Sequence, residues 1–227
     1  MYRYSEKQWN SALLEVGQLR VGTLHDFRKQ EHGKGVSDPQ EGKKTVSHQI
    51  FQLAVPDGSD PSLQSNIDFQ ALSAFGFLGG AENGRYLCVT GCTFTRKFDE
   101  QDVYILCLSR HLSQKTMGEF EKADSCVEVV FPNSFFRLLT RTLNSITPVQ
   151  FRGLHHVAYG DRNEPWNGTN WGLHPALLKE KKYCPQGELR GIWQPTAGRK
   201  IEPVILENRS LASCCRLVSP PAGAVAV

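Results

Sequence analysis

Apolar residues recur at helical spacing in two clear stretches. Residues 6–16 place Trp9, Leu13, Leu14 and Val16 on one side, with Ser5 in the N-cap position and Gly17 as the stop, and predict a first helix. Residues 135–143, opened by Pro132 and Ser134, predict a second. Most other patterned stretches alternate or run apolar over a few residues, as strands do. These are Tyr2-Arg3-Tyr4 and residues 18–24, 45–55, 85–90, 92–95, 126–131, 149–151, 155–161 and 201–206. Residues 102–109 are the most continuous apolar run, which predicts a buried central strand ending at Ser109. Short helices are expected at 117–124 and at 173–182, where Lys179, Lys181 and Lys182 would suit the negative end of the helix dipole. Residues 25–44 and 56–65 read as loops, the first dense in charge.

Many short strands with few helices make an α+β domain the expected class. A chain of 227 residues with 40% hydrophobic and 22% charged residues fits one domain, taken as residues 1–210, with the Pro/Ala/Gly/Val-rich stretch 211–227 as a flexible tail. Net charge is only +3, so composition alone neither requires nor excludes a nucleic-acid partner. The polar start lacks a signal-peptide layout, and no apolar run approaches membrane-spanning length, so a cytoplasmic protein is expected. Seven scattered cysteines predict neither a disulfide framework nor a metal site. His155 and His156 face opposite ways on a strand, which weighs against a nuclease built on that pair.

The stretch Lys182-Tyr183-Cys184-Pro185-Gln186-Gly187-Glu188-Leu189-Arg190-Gly191 reads as a turn running into a strand. Its amide and carboxylate, Gln186 and Glu188, would share one strand face. Gln186-Gly187-Glu188 resembles the Gln-x-Glu motif of ADP-ribosyltransferases. Lys179, Lys182, Glu188 and Arg190 resemble the C-terminal signature of a family of uncharacterised bacterial proteins with an ADP-ribosyltransferase-like pattern. Residues 19–24 followed by Asp38-Pro39-Gln40-Glu41, the Leu108-Ser109 strand end, and Val157-Ala158-Tyr159 are similar to elements of the same family in the same order. Cys107-Leu108-Ser109 keeps only the last position of the transferases' Ser-Thr-Ser element, and residues 56–84 are unmatched.

The resemblance implies two packed, mainly antiparallel sheets around a cleft. It implies NAD as co-substrate and cleavage of its nicotinamide N-glycosidic bond, with ADP-ribose passed to an acceptor. Glu188 would hold the ribose 2′-hydroxyl and stabilise the oxocarbenium-like transition state, and Gln186 would orient the acceptor. Arg3 would hold a phosphate or ribose, Tyr2 or Tyr4 would stack on a ring, and Ser109 would brace the nicotinamide ribose. RNA, DNA, protein or water stay open as acceptors, with scattered arginines and lysines and the Trp166–Trp171 pair as features that would suit a single strand. A bacterial toxin or phage-defence effector, with a possible antitoxin as partner, is the implied setting. The alternative is an inactive module on the same fold that binds a nucleotide or a partner.

Overall fold

The computed structural model describes residues 1–53, 63–77, 89–196, 198 and 200–221. In chain order its elements are β1 (Tyr2–Ser5), α1 (Lys7–Val16), β2 (Gln18–Thr23), β3 (Lys43–Gln52), α2 (Gln64–Ala74), β4 (Thr90–Asp99), β5 (Tyr104–Ser109), α3 (Gln114–Gly118), β6 (Ser125–Val129), α4 (Pro132–Asn144), β7 (Val149–His156), β8 (Ala158–Gly160), β9 (Asn163–Pro165), β10 (Leu178–Glu180), β11 (Glu188–Pro195), β12 (Val204–Glu207), α5 (Arg209–Ala212) and β13 (Cys215–Val218). Short 3-10 turns occupy Asp26–Arg28, Gln30–His32, Pro175–Leu177 and Lys181–Gln186. The architecture is α+β, with a main eight-stranded antiparallel sheet, a smaller mixed sheet of β4, β3 and β9, and few helices.

The apolar run in β5 becomes the centre of the main sheet, as continuous burial requires. Strand β11 covers one edge of β5 along its whole length, from Tyr104↔Trp193 to Ser109↔Glu188. Two strands share the other edge. Strand β2 pairs with Tyr104 and Ile105 at one end, while β1 pairs with Ser109 at the other. Between them, among the described residues, Leu106, Cys107 and Leu108 have ladder partners on β11 only. The sheet therefore divides at β5, and a cavity opens there.

Alternation gives the main sheet two unlike faces. Tyr104, Leu106, Leu108, Val127, Val129, Leu189 and Trp193 join Leu13, Phe135, Phe136, Leu139 and Leu211 of the helices in the largest hydrophobic core. Trp193 is fully buried against Phe136 and Phe151, and its Nε1 donates to Thr140 Oγ1 at 2.8 Å, which satisfies its polar end. The opposite face carries Ile105 and Ile192 with Leu24 and Ala176, and then turns polar at Cys107, Ser109, Glu188 and Arg190.

Several expected elements differ. The helix expected at 173–182 is two 3-10 turns flanking β10, because Leu178–Glu180 pair in parallel with β8. Residues 64–74, the first two of which were expected to end a loop, form α2, which covers β3 through Ala71 and Leu72. The tail boundary moves. Leu211 and Cys214 are buried and β13 pairs with β6, so the chain stays in the main sheet to Val218. Most of the strand expected at 85–90, and residues 222–227, lie outside the described residues. The cavity lies where the main sheet divides, bounded by the segments at 27–41 and 120–123 and by Lys179 of the two-stranded β8–β10 sheet. No helix among the described residues is long and apolar enough to cross a membrane.

Candidate active site

The cavity has a volume of about 390 Å³, within the range of small-molecule sites. Its floor is a row of side chains that register places side by side. Tyr2 opposes Ser109, Ser109 opposes Glu188, and Cys107 opposes Arg190. Phe27, His32, Lys34 and Phe120 line it from outside the sheet.

Four charges are buried together on this floor. Arg190 uses its whole fork: Nε donates to Glu188 Oε1 at 2.6 Å, Nη1 and Nη2 to Glu41 at 2.8 and 2.9 Å, and Nη1 also to Ala176 O at 2.5 Å. A bidentate carboxylate pair of this kind fixes orientation as well as charge. Lys179 Nζ lies 2.8 Å from Glu188 Oε2 and donates to Gln186 Oε1 at 3.0 Å. Glu41, Lys179, Glu188 and Arg190 are each at most 4% exposed. The two acids and two bases balance, which is the condition for keeping charge out of water.

Geometry leaves one atom open. Lys179 neutralises Glu188 Oε2 by proximity but is out of line for a hydrogen bond, so this buried oxygen has no aligned donor. Burial on its own raises the Glu188 pKa, but Arg190 and Lys179 outweigh it and hold the carboxyl well below the usual range. For Lys179, burial works against the ammonium, and Glu188 more than offsets it. Burial and then the same carboxylate push the Cys107 thiol well above its ordinary value.

Gln186 and Glu188 do converge, by a different route from strand alternation. Gln186 ends a 3-10 turn, Gly187 reverses the chain with φ 51°, and Glu188 begins β11. A Cβ on Gly187 would stand 2.2 Å from the His111 ring, so glycine is needed for space as well as for conformation. Lys179 then ties the two side chains together. Gln186 Nε2 donates to Gly35 O at 2.7 Å, so both ends of the amide have protein partners.

The residues expected to hold the co-substrate fare unevenly. Tyr2 lines the cavity in the same row as Glu188. Ser109 is next to Glu188, but its hydroxyl donates to Gln186 O at 2.7 Å and accepts from His111 N at 3.0 Å. It braces the turn that presents Glu188. Tyr4 also lines the cavity, with its hydroxyl donating to His111 O at 2.6 Å and its ring stacked on Phe120 at 5.9 Å; burial lifts that hydroxyl to about 12. Arg3 is placed differently. Strand alternation turns it toward the other face, opposite Val127, and its guanidinium is bonded to Asn10 of α1. It borders the cavity where the sheet divides, and burial lowers its pKa to about 10. Of the two uses open to Trp166 and Trp171, packing or ligand contact, the structure shows packing. Trp166 is buried against His48 and Phe75, while Trp171 packs on Phe75 and Phe98 under the Arg96 guanidinium.

Sequence reasoning gave no role to Glu41, Arg190 or Tyr159, and gave Lys179 only a place at the end of an expected helix. The motifs containing them were visible, but nothing local pairs Arg190 with Glu41 across 149 residues. Tyr159 accepts the backbone N–H of Glu188 at 2.7 Å and so fixes the start of β11. At the cavity margin Asp26, Glu31 and His32 bring ligand atoms within 4.8 Å of one another. Arg20 and Lys29 already sit on Asp26 at 2.5 and 3.1 Å, and this local positive charge opposes a metal ion. Comparison with protein-family models, curated proteins and solved structures finds no match for this chain.

Proposed function

We propose that this chain is an NAD-dependent mono-ADP-ribosyltransferase, with Glu188 as its catalytic carboxylate. The observation that carries the reading is the placement of the Glu188 carboxylate on the cavity floor. Arg190 fixes one of its oxygens, while the other faces the cavity beside the Lys179 ammonium at 2.8 Å, with no hydrogen bond in line. A sugar hydroxyl is a ligand group that can donate to that second oxygen. In the proposed reaction the C1′–N bond of the nicotinamide ribose breaks and nicotinamide leaves with the electron pair. The cationic ribose forms over the carboxylate, and an acceptor atom closes on C1′ and loses its proton. A fixed, water-excluded carboxylate favours that developing charge more than the neutral ground state. Gln186 is the acceptor-side residue and Tyr2 a ring-lining residue in this scheme. Ser109 is left out as a direct ligand, because its hydroxyl is engaged by the turn that presents Glu188, and Arg3 stands at the cavity border with one bond to Asn10.

The test is release of free nicotinamide from NAD, with labelled NAD offered alongside RNA, DNA and protein pools to find the acceptor. Release that falls by about 10²–10³-fold in Glu188→Gln supports the reading. Unchanged release in that variant defeats it. Because Glu188 also separates Lys179 from Arg190, both proteins are compared below the variant's own melting temperature. A second reading, an inactive nucleotide-binding module, draws on the engagement of Gln186 and Ser109 by protein partners. Saturable NAD binding with no nicotinamide release favours it.

A further inference from the structure

We propose that residues 33–37 form a strap that closes the cavity and keeps the Gln186 amide out of use until it lifts. That the cavity takes a ligand rests on the reading above; the strap itself does not.

The strap hangs between two firm posts. At its far end Asp38 binds Arg162 Nη2 at 2.6 Å and donates its own N–H to Phe27 O at 2.8 Å, and Glu41 is locked on Arg190. At its near end His32 Nε2 stands 3.1 Å from Asp26, which also holds Arg20. The far post is a set of buried ion pairs, and the near post packs His32 beside the buried Asp26 carboxylate; the strap has no charged anchor of either kind. Lys34 is exposed, and Val36 belongs to none of the hydrophobic clusters among the described residues.

A handful of contacts hold it shut. Gln186 Nε2 donates to Gly35 O at 2.7 Å, Tyr183 Oη to Ser37 O at 3.3 Å, and Lys34 N to the surface carboxylate of Glu121 at 2.9 Å. Glu121 N returns a bond to Lys34 O at 3.3 Å. Gly33 and Gly35 have φ of 75° and 89°, which only glycine adopts freely. A Cβ on Gly35 would stand 2.0 Å from Glu119 O, so the strap presses directly on the neighbouring backbone. Lys34, Gly35 and Val36 line the cavity together with Glu121 and Lys122. Lifting the strap about its glycines would open this wall and release Gln186 Nε2 in a single movement. Asp38–Arg162 and Glu41–Arg190 lie beyond the strap, so this segment can move without unseating Arg190.

Cys107 on the cavity floor reports opening without any assumption about the ligand. The experiment is alkylation by N-ethylmaleimide, read peptide by peptide by mass spectrometry, on the full chain and on Glu121→Ala and Gly35→Ala. Exposed Cys92 and buried Cys126 serve as internal references. Glu121→Ala removes a surface carboxylate, while Gly35→Ala forces the strap off Glu119. The expected result is a severalfold rise in Cys107 labelling relative to Cys92 in both variants, with Cys126 unchanged. Unchanged Cys107 labelling in both, or a parallel rise at Cys126 showing general loosening, overturns the proposal. NAD titration of the same samples separates the two ideas. Faster Cys107 labelling without NAD binding leaves the strap standing and removes the NAD reading.

Discussion

The two faces of the main sheet are built from the same strands and differ in what holds them. On one face Leu108, Val127, Leu189 and Trp193 pack on α1, α4 and α5 with hardly a charge among them. On the other, neighbours one residue along the chain, Cys107, Glu188 and Arg190, meet Glu41 and Lys179 in a buried ionic network. The apolar face tolerates approximate fit, since dispersion and burial have no direction. The ionic face has no such latitude, because each unpaired charge there keeps its full desolvation cost. Concentrating polar groups in a cavity against a rigid apolar backing is the arrangement expected of a functional site rather than a stabilising one.

Substitutions on opposite faces should separate these roles. The largest effect is on chemistry. Glu188→Gln should reduce nicotinamide release by about 10²–10³-fold, whereas Leu189→Ala, next to Glu188 but in the apolar core and outside the cavity lining, should keep turnover wherever it is folded. Next in size is stability. Glu41→Ala strands Arg190 and should cost about 3–5 kcal/mol in urea unfolding. Leu108→Ala should cost about 2–5 kcal/mol by leaving a cavity. Only the former should be partly rescued by replacing both Glu41 and Arg190 with apolar residues.

The faces should also respond differently to pH. Glu188 has a folded pKa below its unfolded value, so its contribution is complete above the unfolded value of about 4.3 and is lost as pH falls toward the folded one. Lys179 is shifted upward, so its contribution is complete below about 10.4 and is lost as pH rises through its folded value. The melting-temperature deficit of Glu188→Gln should therefore be flat near neutrality and shrink below the ordinary carboxylate range. That of Leu108→Ala should not depend on these titrations. The smallest effect is expected for Tyr159→Phe, which leaves the Glu188 N–H without its acceptor and should cost about 1–3 kcal/mol in the same unfolding measurement.

The apolar face was the more legible of the two. Runs such as 102–109 and 135–143 announce burial through local pattern, and the corresponding strand and helix stand close to where they were expected. The ionic face depends on side chains brought together from distant segments, and no periodicity records that. Gln186 and Glu188 were read as strand neighbours, yet they meet through a left-handed glycine and a bridging lysine. Arg3 stands apart from Tyr2 and Tyr4 for a reason visible in the sequence itself. If Tyr2 and Tyr4 face the cavity, alternation sends the residue between them the other way. The C-terminal strand was hidden because its four residues do not alternate and run into a disorder-like composition, and its partner β6 lies far back in the chain.

The measurement that bears most directly on the cavity floor follows NAD binding and nicotinamide release together, in wild type and Glu188→Gln. The account predicts saturable binding with release in the wild type, and loss of release in the variant. Equal release by both proteins, or no NAD binding by the wild type, would contradict it.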